Sequence, residues 1–147
     1  MRLLVLSLLA ALVLPQAARA AECTLTPKQV VTRFMTQFYI DKDVRGAFET
    51  WVDPGYIQHN PMAKTGRDAA IAFLEPFFAR NPQIHYDIKR VIADGNLVAV
   101  HSHGVFRKDD PGIAVVDILR VEGCKVMEHW DVVQPVPAKS ANDNTMF

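Results

Sequence analysis

In the middle of the chain apolar positions recur with a helical period, and from Ile84 onward they alternate. Thr26 before Pro27 has the chemistry of an N-cap followed by a first-turn proline. Val30, Val31, Phe34, Met35 and Phe38 then repeat at helical spacing, which predicts a first helix to about Tyr39. A second, short helix fits Val44 to Val52 with Ala47, Phe48 and Trp51 inward, ended by Asp53-Pro54-Gly55. Tyr56 to Pro61 reads as a loop. A third helix fits Arg67 to Ala79, with Pro76 expected to bend it or end it early. The alternating region is divided by turn signals at Asp94-Gly95, Lys108 to Gly112 and Glu122-Gly123, which predicts three or more antiparallel strands. Helices first and a meander afterwards predict an α+β domain in which the sheet curls around one face of the helices.

The start of the chain follows another pattern. Arg2 precedes the run Leu3 to Leu14, which is apolar except for Ser7, and Pro15 leads into Ala17, Ala18, Arg19 and Ala20. This is the layout of a secretory signal peptide over residues 1–20 with cleavage after Ala20, and the run is too short for a membrane anchor. One domain over residues 21–137 and a tail over residues 138–147 are expected to remain. Export to the periplasm or beyond would put Cys23 and Cys124 where thiols oxidise, so a disulfide and two separate thiols both stay open. The alternative of lipid attachment is disfavoured, because Glu22 stands where a small residue would be needed.

Sixteen basic residues balance sixteen acidic ones, so no net field exists to hold a nucleic acid or draw the protein onto an acidic membrane. With half of the residues hydrophobic, the chain can bury one ordinary core and is not disordered.

Chemistry enters through the strands, where alternate residues share a face. His101 and His103 fall in step with Leu97, Ala99 and Val105. Asp117 falls in step with Val115, Leu119 and Val121, and His129 and Asp131 with Met127 and Val133. An aspartate in an apolar row costs several kcal/mol unless it is paired or neutral, and a sheltered pocket doing acid and base work explains such a set economically. Other readings stay open: a solvated face for His101 and His103, an ion pair of Asp117 with Arg90, Arg107 or Arg120, and a surface or capping role for His59. Spacing alone does not assign a metal to these histidines. No nucleophile elbow, phosphate loop or dinucleotide fingerprint is present.

Four segments together resemble a known family: Tyr56-Ile57-Gln58-His59-Asn60-Pro61, Val91 to His101, Val116-Asp117-Ile118-Leu119-Arg120-Val121, and Glu128-His129-Trp130-Asp131. They are similar to the SnoaL-like polyketide cyclases of the nuclear transport factor 2-like superfamily, in particular to predicted SnoaL-like aldol condensation enzymes. The resemblance spans about Thr26 to Pro137. It implies three helices packed on a strongly curved antiparallel sheet, a cone with a deep ligand pocket, a homodimer joined through the sheet, and no metal or organic cofactor. It implies Asp131 as the acid/base residue, with His129 and Asp117 as catalytic partners. His59, His101, Tyr56 and Trp51 are expected to bind the substrate, a small hydrophobic carbonyl compound. The resulting expectation is an aldol-type lyase or isomerase, and the alternative is a non-catalytic ligand-binding module on the same cone.

Overall fold

The computed structural model describes residues 23–147. The signal-peptide reading therefore lies outside the described residues. Among those residues, no helix is long and apolar enough to cross a membrane.

Among the described residues three helices precede four of the five strands: α1 Pro27–Met35, α2 Val44–Trp51, β1 Val52–Gln58, α3 Arg67–Arg80, then β2 His85–Asp94, β3 Leu97–Val105, β4 Ile113–Glu122 and β5 Lys125–Pro135. The sheet has the order β1-β5-β4-β3-β2. Neighbours from β2 to β5 are antiparallel, whereas β1 pairs parallel to β5. The α+β architecture is the one the pattern predicts.

Thr26 caps α1 through a full capping box, its hydroxyl accepting from the Gln29 N–H while the Gln29 side chain accepts from the Thr26 N–H. Beyond Met35 the helix widens into a π-helical turn, Thr36–Ile40, where the sequence pattern had continued an ordinary helix. Within this turn Phe38 and Tyr39, four residues after the buried pair Phe34 and Met35, both point inward and stack at 4.5 Å. Both are buried.

Residues 52–58 form a strand, not the turn and loop expected of them. Pro54 is tolerated because β1 lies at the sheet edge, and the register shifts between Val52 and Ile57, where Pro54 and Gly55 fall. α3 likewise runs on through Pro76 to Arg80. The core lies between α1, α2 and the inner face of the sheet, where Val30, Val31, Met35 and Val52 meet Val98, Val100, Leu119 and Val126. Cys23 and Cys124 are joined by a disulfide with Cα atoms 5.3 Å apart, linking the lead-in to α1 with the β4–β5 turn.

Candidate active site

Which strand residues face the helices is decided by the pairing. On β4 the inner row is Val115, Asp117, Leu119 and Val121, as the alternation predicts. On β5, Asp131 pairs with Asp117 and His129 with Leu119, but a shift between Arg120 and Val121 brings Val126 inward and leaves Met127 out of register. On β3 the buried inner row is Val98, Val100, Ser102 and Gly104, so the row carrying His101 and His103 lies on the other face.

Helices and sheet enclose a cavity of about 210 Å³. Its walls are aromatic, with Phe34, Phe38, Phe48, Phe77 and Tyr86 among them, and Asp117, His129 and Asp131 stand together on the sheet side. One ligand atom from each of these three groups lies within 4.8 Å of the others. Asp117 is 3 % exposed. Its oxygens take a hydrogen bond of 3.3 Å from the Tyr39 hydroxyl, which the π-helical turn delivers. None of the three arginines considered as partners bonds it: Arg120 pairs with Glu128 and Glu122, and Arg90 contacts His101.

A chain of amides fixes the protons. The Asn60 backbone N–H donates to Gln58 Oε1 at 2.9 Å, so this atom is an acceptor, and His129 Nδ1, 2.9 Å away, must donate to it. The remaining amide nitrogen of Gln58 donates to the Tyr56 hydroxyl at 2.9 Å. The other ring nitrogen of His129 is 3.0 Å from Asp117 Oδ1, a contact that needs one proton, carried either by the imidazole or by the carboxyl. Asn60 is oriented in the same way: its Oδ1 accepts from the Met62 N–H, so its Nδ2 donates to both oxygens of Asp131, at 2.9 and 2.7 Å. No Lys or Arg pairs with Asp131 among the described residues.

The cavity thus brings together Asp131, His129, Asp117 and Tyr56 and leaves out three residues expected in it. His59 lies outside, bonded to Glu128 at 2.7 Å and stacked on Trp130 at 4.7 Å. Its neighbours Gln58 and Asn60 line the cavity in its place. The indole of Trp51 donates to Gln37 at 2.9 Å and ties helices together. His101 touches Arg90 at 2.6 Å and faces Phe147 across 5.5 Å on the outer side of the sheet. The tail reaches that side too, where Phe147 stacks on His103 at 4.3 Å.

Burial and the Arg90 charge hold the His101 imidazole below the usual histidine range. The unfolded chain therefore takes up this proton more readily than the folded one. Stability is expected to fall as pH drops below about 6.5, and His101→Gln to flatten that slope in denaturant titrations.

Tyr86 closes the aromatic wall, stacked on Tyr39 at 3.9 Å. Gly104 makes room for it, since a Cβ there would stand 2.7 Å from the ring. Gly104→Ala is expected to push the ring toward the cavity and to cost about 1–3 kcal/mol, read by thermal unfolding.

Burial first, then the Asp117 and Asp131 charges, raise the Tyr56 and Tyr86 hydroxyls well above the ordinary tyrosine range. They stay protonated and available as donors.

Comparison with solved structures returns the same fold. A protein from Jannaschia sp. CCS1, named as a SnoaL-like polyketide cyclase, is 20% identical over 80% of this chain and 91% of its own, with a TM-score of 0.61. The NTF2-like protein of unknown function from Cytophaga hutchinsonii is 14% identical over 76% of this chain and 93% of its own, with a TM-score of 0.61. A protein from Acidithiobacillus ferrooxidans, named as a polyketide cyclase, is 16% identical over 75% of this chain and 89% of its own, with a TM-score of 0.56. No protein of curated function matches the sequence. The family model of the SnoaL-like domain matches residues 31–129, more than half of the chain, and every cavity group discussed above except Asp131 lies within that span. The chain belongs to the SnoaL-like domain family, built on the nuclear transport factor 2-like fold.

Proposed function

We propose that the cavity is a cofactor-independent acid/base centre acting on a small carbonyl compound, in an aldol-type lyase or isomerase reaction. One observation carries this reading: Asp131 faces an aromatic cavity with only the Asn60 amide holding its carboxylate, beside the proton shared by His129 and Asp117. Asp131 takes the proton from the carbon next to the carbonyl. The His129–Asp117 pair and the protonated Tyr56 hydroxyl face the oxygen on which negative charge develops. A cavity of about 210 Å³ is below the roughly 300 Å³ at which drug-sized sites begin, which favours a substrate with one ring or a short chain.

The test is exchange of α-protons in heavy water, followed by NMR for a panel of small aldehydes and ketones. Enzyme-dependent deuteration of any of them supports the reading. Saturable binding throughout the panel with no exchange would favour a ligand-binding module instead.

We further propose an exported protein that works as a homodimer joined through the outer sheet face. The Arg2 and Leu3–Leu14 pattern and the disulfide support export. Ile92 and Val132, exposed by 61% and 68%, support an interface there. Fractionation of cells and light scattering of the purified protein test the two points.

A further inference from the structure

The charges around the cavity do not cancel. Wherever their shared proton sits, His129 and Asp117 together are neutral, either as imidazolium with carboxylate or as imidazole with carboxylic acid. Asp131 lies outside that pair. Both of its oxygens accept from one neutral amide, as an ionised carboxylate's do, which leaves about one uncompensated negative charge at the sheet side of the cavity. The Asp131 charge also contributes, after burial, to raising the three tyrosine hydroxyls that line the cavity, so its field reaches the walls. Among the described residues Lys64 is the one Lys or Arg on the lining, and it is exposed to solvent, where screening weakens its effect.

The walls match this sign. Six phenylalanines and three tyrosines line the space, and aromatic ring faces attract cations most strongly where water is excluded. We propose that the cavity selects ligands bearing a small organic cation, an ammonium group on an aryl or alkyl carbonyl compound, with the cation against Asp131 and the rings. This rests on the cavity being the ligand site and names the substrate class for the acid/base reading. The fit to that chemistry is direct, because proton removal moves a negative charge from Asp131 to the substrate oxygen, where an adjoining cation steadies it.

Three probes of similar size separate charge from shape: benzylammonium, benzyl alcohol and benzoate, titrated calorimetrically into the purified protein at neutral pH. Benzylammonium is expected to bind at least about tenfold more tightly than benzyl alcohol, with benzoate weakest. Asp131→Asn should bring benzylammonium level with benzyl alcohol while leaving the alcohol's affinity nearly unchanged. The proposal is overturned if the alcohol equals the ammonium, if benzoate binds best and Lys64 sets the preference, if the preference survives Asp131→Asn, or if benzylammonium does not bind. Failure of the two readings is distinguishable. Carbonyl α-proton exchange without charge preference sinks this proposal alone, whereas charge preference without exchange sinks the acid/base reading alone.

Discussion

Replacing Asp131 by asparagine is expected to lower α-proton exchange by about 10²- to 10⁴-fold, the usual contribution of a positioned general base. The substitution keeps the shape of the side chain. Its cost to folding should be small, since the residue pairs with no Lys or Arg among the described residues and its amide would still offer an oxygen to Asn60. Rates under saturating substrate and thermal unfolding, measured on the same samples, separate the two effects. His129→Gln gives a contrasting case. It breaks the contact with a 97% buried Asp117 as well as the one with Gln58, so it should lose stability along with activity. Full activity in Asp131→Asn would remove the base from the proposed chemistry.

The largest effect on stability is expected from the disulfide. Cys23 and Cys124 are separated by 101 residues, and closing a loop of that length contributes about 4–5 kcal/mol in the chain-entropy model. The stability of an ordinary domain is only about 5–15 kcal/mol in total. The double variant Cys23→Ser, Cys124→Ser should therefore melt roughly 10–20 °C lower than the oxidised protein. Reductant should lower the parent to the same value and leave the variant unmoved. A variant that melts within a degree or two of the parent would show that the unfolded chain gains little freedom from breaking the bond.

The sequence made the helices and the last three strands legible because each of those segments has one dry side and a clear stop. The inner row of β4 could be read directly, since Asp117 stands among valines and leucine with nothing interrupting the alternation. On β3 the same method left the face open. Both of its rows are apolar enough to be core, and only pairing with β2 and β4 shows that His101 points away from the helices. Region 52–58 was obscured by Asp53-Pro54-Gly55, a turn signal that an edge strand can carry. Had it been read as a strand, period two from Tyr56 would have put Gln58 and Asn60 inward and His59 outward, as the structure has them. Tyr39 stands four residues after Met35, in step with the inner pairs Val30–Val31 and Phe34–Met35, so spacing could have placed it inward, whereas nothing in the spacing tells that its hydroxyl meets Asp117, 78 residues further on.

The shape of β1 also bears on how the protein behaves at high concentration. An exposed strand edge is a template on which other chains can add and begin an aggregate. Here β1, one of the two edge strands, breaks its own register, and at Pro54 it has no N–H to offer an incoming strand. At this edge a foreign strand would find no continuous ladder to extend, which leaves β2 as the open edge of the sheet. Replacing Pro54 with valine would repair the donor, and turbidity on prolonged storage would be the place to look for the consequence.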